Sequence, residues 1–140
     1  GPNAGFTAGT PWLKVNPNYA DINVEEQLRR PDSVLRYYQA LIRLRKSSPT
    51  LIYGKYGLLL PDHEHVYAYT RTLDGETYAV VVNVSGAEQI VRLPDGPDWT
   101  AAELVLANGE ASREAVRLLP AAGELALEPY GARVYRFGRP

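Results

Sequence analysis

The sequence has no cysteine, no methionine, almost no net charge and no long apolar run. Without cysteine, disulfides and thiolate metal sites are excluded. That fits a reducing compartment, and a cytoplasmic location is the expectation. No stretch approaches the roughly 18–20 apolar residues of a membrane span, so no membrane partner is expected. The net charge is −1, from 15 basic and 16 acidic residues. This balance gives no electrostatic footing for nucleic acid. The front carries no basic-then-apolar secretion signal. Methionine is missing even at position 1; with an irregular front segment, this leads us to expect the tail of a longer protein. What is present suits a packed domain: 45% of the 140 residues are apolar and 22% are charged. That supports one domain, or one domain plus a piece of another.

Residues 1–22 read as a loop punctuated by Pro2, Gly5, Gly9, Pro11 and Pro17. Asn23-Val24-Glu25-Glu26 has the form of a capping box, and a short helix from Val24 to Arg29 follows. Asp32 is placed to cap the next helix, which runs to Ser47. Its Val34, Leu35, Tyr38, Leu41 and Ile42 repeat with a helical period. That apolar stripe is wide and calls for a large covering surface.

After Pro49 the period changes from 3.6 to 2. Strand-like runs occur at Tyr56–Leu60, Val66–Leu73, Tyr78–Val84 and Gln89–Leu93, then at Glu103–Ala107, Ala115–Leu119, Glu124–Leu127 and Ala132–Phe137. Asp74-Gly75 is a hairpin signal. About eight short strands without intervening helices indicate an antiparallel β-sandwich. Residues 1–48 and 49–140 therefore read as two different pieces.

Chemistry-bearing residues are few. His63 and His65 form an H-x-H beside Asp62 and Glu64, but no third or fourth metal ligand is placed by spacing. A solvated turn accounts for them, and no metal or other cofactor is expected. Asp21, Glu25 and Glu26 suit a helix N-terminus and need no catalytic role. Arg29, Arg30, Arg36, Arg43, Arg45 and Lys46 are interleaved with Tyr37 and Tyr38, yet Glu25, Glu26 and Asp32 lie alongside. A solvated helix face explains that group better than single-strand binding. Tyr67, Tyr69, Tyr78, Tyr130 and Tyr135 fall in or beside strands, as packing residues or as an exposed platform for sugar rings. Phe6, Trp12 and Tyr19 stand in an otherwise polar, proline-fixed loop. They either staple it to a scaffold, which the residues alone favour, or line a cleft.

The stretches "PNAGFTAGTPWLKVNPNYADINVEEQL" and "PDSVLRYYQALIRLRKSSPTLIYGKY", with "LEPYGARVYRF" near the end, resemble the C-terminal part of the α-amylase superfamily, glycoside hydrolase family 13. The oligo-1,6-glucosidase and α-glucosidase branch is the most similar in wording. Gly131 stands where that family commonly has Glu. The resemblance implies a mainly β chain: the loop after strand eight and the last helix of a (β/α)8 barrel in 1–48, then an antiparallel sandwich in 49–140. It implies a retaining α-glucosidase acting on short oligosaccharides, with sucrose isomerisation, trehalose synthesis, sucrose hydrolysis or a non-catalytic module as alternatives. The family's reacting carboxylates match no position in this chain, so no catalytic residue is assigned. Phe6 and Trp12 become candidate lining of the substrate cleft. The implied partners are the remainder of the barrel, in the same protein or a separate chain, and an oligosaccharide bound through the full enzyme.

Overall fold

A computed structural model describes residues 1–94, 99–108 and 124–138. The chain divides into two compact units, Gly1–Ala40 and Leu41–Pro140. No helix among the described residues is long and apolar enough to cross a membrane.

The first unit is a loop followed by helical turns. Pro2–Gly5 and Pro17–Ala20 form single 3-10 turns. Helix α1 covers Val24–Arg29. Asn23 caps it by accepting from the Glu26 amide at 2.9 Å. The reciprocal half of the capping box is not made; the Glu26 carboxylate pairs with Arg29 at 2.6 Å instead. Helix α2 covers Val34–Ser47. Its cap is Ser33 and not Asp32: Ser33 Oγ accepts from the Arg36 amide and donates to the Gln27 carbonyl at 2.6 Å. Asp32 is exposed and sits near Arg30. Ser33 wins because its short side chain reaches both backbones at the α1–α2 corner. The Arg36 guanidinium closes that corner on the Leu28 carbonyl at 2.6 Å.

Helix α2 does not run into a strand. A further turn, α3 at Pro49–Tyr53, is capped by Ser48 Oγ, which accepts from the Leu51 amide. The seven described strands are β1 Lys55–Leu58, β2 Val66–Leu73, β3 Glu76–Asn83, β4 Gln89–Arg92, β5 Glu103–Ala107, β6 Glu124–Leu127 and β7 Ala132–Phe137. The strand expected at 115–119 lies outside the described residues. A five-stranded sheet has the order β1-β2-β3-β7-β5, and β4 pairs with β6 in a second sheet. All pairings are antiparallel. The turn between β2 and β3 is Asp74-Gly75, both at positive φ (49° and 83°), as the tight hairpin requires.

The core lies between the two sheets. Val66, Ala68, Ala79, Val81, Tyr135 and Phe137 face Val91, Leu125 and Leu127 across it. Trp99 meets Phe137 edge-on at 4.9 Å and donates its indole N–H to the Pro94 carbonyl. Burying each such apolar side chain is worth roughly 1.5–3 kcal/mol. On the outer face of the five-stranded sheet, Leu51 packs with Tyr78 and Val134, joined by Leu44 from the end of α2.

Two polar groups are built into this unit. Asn83 is only 1% exposed and ends the apolar run of β3. Its Nδ2 donates to the carbonyls of Ala87, Leu127 and Glu128, and its Oδ1 accepts from Ser85. Arg133 is buried and donates to the Glu128 carboxylate at 2.8 Å. Burial pulls the Arg133 pKa down, but hydrogen bonds to Tyr135 and Glu128 outweigh that and raise it. Gly131 makes room for the pair. A Cβ there would fall 2.9 Å from the Glu128 carboxylate carbon. Glycine at position 131 thus leaves that space to the Glu128 carboxylate. Gly131→Glu is expected to cost about 2 kcal/mol by overpacking. Adding Glu128→Ala should recover part of that loss, because the new carboxylate then has Arg133 to itself. Urea melts of the two variants check this, and a double variant no more stable than the single one contradicts it.

Candidate functional site

The loop 1–23 is ordered by side-chain amides. Asn3, Ala4 and Gly5 all have positive φ, at 53°, 55° and 79°. For Ala4 that conformation costs roughly 1–2 kcal/mol. Asn3 Nδ2 offsets it by donating to the carbonyls of Thr7 and Gly9, each at 3.0 Å. At the other end Asn23 Nδ2 donates to the carbonyls of Tyr19 and Ala20. The loop is thereby fixed at both ends by asparagine.

Between those anchors lies an open hollow of about 1380 Å³, lined by Phe6, Pro11, Trp12, Leu13 and Tyr19 among others. Phe6 is 84% exposed and Trp12 is 92% exposed. Neither packs against the described residues of this chain, which leaves both readings open: a staple to another part of the protein, or the lining of a cleft. Tyr19 is half-buried. A rigid loop presenting bare aromatic faces is suited to stacking on a flat apolar surface, whether a sugar ring or another part of a protein.

The other candidates resolve into structure. Glu25 and Glu26 both pair with Arg29. Arg45 donates to the Leu51 carbonyl at 2.6 Å. Much of the basic group is therefore engaged within the chain. His63 Nδ1 accepts from the amides of His65 and Val66, so it closes the turn into β2, while His65 is exposed. No group of three or more His, Cys, Asp or Glu side chains converges among the described residues. Of the strand tyrosines, Tyr78 and Tyr135 are buried and Tyr67 and Tyr130 are exposed. Burial raises the Tyr135 pKa, with Arg133 opposing.

One grouping was not legible from spacing. Tyr56 on β1 and Tyr67 and Tyr69 on β2 share the outer face, with ring centroids 5.4–5.5 Å apart. The hydroxyls of Tyr56 and Tyr67 are 3.0 Å apart. That hydrogen bond, more than burial, raises the Tyr56 pKa. For Tyr69 burial is the main cause of a raised pKa. Only the β1–β2 register, which puts Leu58 opposite Tyr69, brings them together.

The family described as "Alpha amylase, catalytic domain" matches residues 1–54, and that described as "Alpha-amylase SusG C-terminal domain" matches residues 66–134. The chain belongs to the α-amylase family of glycoside hydrolases. Within that family it is 46% identical over 138 residues to an oligo-1,6-glucosidase of Parageobacillus thermoglucosidasius, covering 99% of this chain and 24% of the relative. It is 39% identical over 140 residues to a trehalose-6-phosphate hydrolase of Bacillus subtilis, again covering 99% and 24%. Among solved structures, the trehalulose synthase of Pseudomonas mesoacidophila MX-45 superposes with a TM-score of 0.80 at 41% identity, covering 96% of this chain and 23% of that one. The chain thus spans about a quarter of the length of the relatives it matches. The α-amylase match to residues 1–54 takes in the loop and all three helices.

Proposed function

We propose that this chain is the closing part of a retaining α-glucosidase of oligo-1,6-glucosidase type, which releases glucose from short α-linked oligosaccharides. The observation that carries this reading is the 46% identity, over nearly the whole chain, to an enzyme of that name. Residues 1–48 finish the catalytic (β/α)8 barrel and residues 49–140 form the trailing sandwich. A retaining glycosidase needs two carboxyl groups about 5–5.5 Å apart, one as nucleophile and one as acid then base. Neither is assigned to this chain. Its contribution to the site is the loop: Phe6 and Trp12 line the cleft and stack on substrate. A reducing, cytoplasmic setting is in keeping with the lack of cysteine.

Likeness to a trehalulose synthase and a trehalose-6-phosphate hydrolase favours a second reading, the same scaffold working on sucrose or a phosphorylated disaccharide. A fusion separates the two. The upstream part of the P. thermoglucosidasius relative is placed before Gly1, and products from isomaltose, maltose, sucrose and trehalose 6-phosphate are compared with those of the parent relative. A parallel fusion carries the upstream part of the trehalulose synthase: isomaltose cleavage at the parent's rate in the first fusion with a crippled second fusion supports the first reading, and the reverse pattern supports the second. In the first fusion Trp12→Ala should lower kcat/KM about tenfold, mostly through KM. Unchanged kinetics would remove Trp12 from the cleft.

A further inference from the structure

No helix or strand supports residues 6–16, so the path of that stretch depends on what precedes it. Three successive left-handed residues, Asn3, Ala4 and Gly5, turn the chain, and the Phe6 amide closes the turn by donating to the Asn3 carbonyl at 3.1 Å. From the same residue Asn3 Nδ2 reaches forward to the Thr7 and Gly9 carbonyls. Gly9 is tied once more, its amide donating to Thr7 Oγ1 at 3.1 Å. Phe6 is therefore bracketed by one residue. Its own amide is bonded to the Asn3 carbonyl, and the carbonyl that follows it is held by the Asn3 side chain.

We propose that Asn3 is a positioning residue for substrate: acting through Phe6, it fixes the direction in which that ring meets a bound α-linked oligosaccharide. The proposal rests on the function proposed above, in which Phe6 lines the cleft. Two demands meet at position 3. The backbone has positive φ, which glycine adopts freely and Asn or Asp more readily than other residues. The side chain must also supply two N–H donors on a short stem. Asparagine meets both. Glycine meets the first alone, and aspartate would turn acceptor oxygens toward two carbonyls. An aromatic ring recognises a sugar through the direction of its face. A loop that must be ordered on binding gives up affinity in conformational entropy. Loss of the brace should therefore raise KM and leave kcat nearly unchanged, because the reacting carboxyls are not assigned to this chain.

The test uses Asn3→Gly, which keeps the backbone conformation, and Asn3→Asp, which keeps the shape. Both are made in the 140-residue chain and in the first fusion. In the chain, nitrogen-15 relaxation should give order parameters of about 0.85 for the Phe6, Thr7 and Gly9 amides, and below about 0.6 in both variants. In the fusion, KM for whichever of the four sugars it turns over should rise about fivefold in both, with kcat and Tm nearly unchanged. Asn3→Gly added to Phe6→Ala should raise KM no further, because the two act as one unit. A residue that merely stabilises the fold would lower Tm instead, and its effect would multiply with that of Phe6→Ala. Equal order parameters with and without the Asn3 amide overturn the proposal. So does a loop that loses order while KM stays put, or a loss that falls on kcat alone. An active fusion whose KM ignores Asn3 sinks the positioning role alone. A folded fusion that is inactive with Asn3 intact sinks the functional reading, and the positioning role falls with it.

Discussion

The 140-residue chain alone is expected to release no 4-nitrophenol from 4-nitrophenyl α-glucoside above the uncatalysed rate. The expected loss is the full enzymatic acceleration, at least about a million-fold. The chemistry explains why nothing is left over. A carboxyl serving as acid is held in an apolar place that keeps its proton on, and its partner must stand close by on the other side of the glycosidic bond. In the loop unit, Glu25 is exposed, Glu26 is half-exposed, and both share Arg29. Both are engaged in surface ion pairs with one guanidinium, not set across a glycosidic bond. Adding the upstream part of a relative should restore turnover. Hydrolysis by the isolated chain, abolished by changing one of its own carboxylates, would contradict this.

Asn83→Ala is expected to be the most damaging single substitution in the sandwich. Three carbonyls and the Ser85 amide and hydroxyl bond to this side chain, which is 1% exposed. Each buried group left without a partner costs about 1–3 kcal/mol, although Ala87 keeps a bond from Ser85 Oγ. A net loss of about 3 kcal/mol follows. For a unit of this size that is a fall in Tm of about 12–24 °C. The bonds run from the end of β3 to the end of β6, so the substitution loosens one sheet from the other. Calorimetry of the variant checks this, and a fall of only a degree or two would mean that water replaces the amide at little cost.

The contrast between these residues shows what the sequence made legible. Local rules located α1 from its Asn23 cap, the hairpin from Asp74-Gly75, and β3 from its apolar run. Each rests on a few neighbouring residues. The misses depend on what comes together in space. Asp32 has the right chemistry for a cap, but the α1–α2 corner gives the place to Ser33. Helix α3 hides in a Pro-Thr-Leu run that reads equally as a link. Asn83 looks like a blemish in an apolar run until β6 is laid beside it. The tyrosine cluster exists only through the register of β1 on β2. Of the candidate site, the presence of Phe6 and Trp12 in an ordered loop was legible. Their exposure was not, because it depends on what the rest of the molecule leaves uncovered.

Helix α2 gives the most direct measure of the central claim. Val34, Tyr38 and Ile42 follow one another at four-residue spacing along it, and all three are exposed. If α2 is one wall of a larger catalytic shell, its backbone amides should exchange with deuterium about 100-fold more slowly in the fusion than in the 140-residue chain. Equal exchange in both, with the fusion folded and active, would mean that this helix closes no barrel.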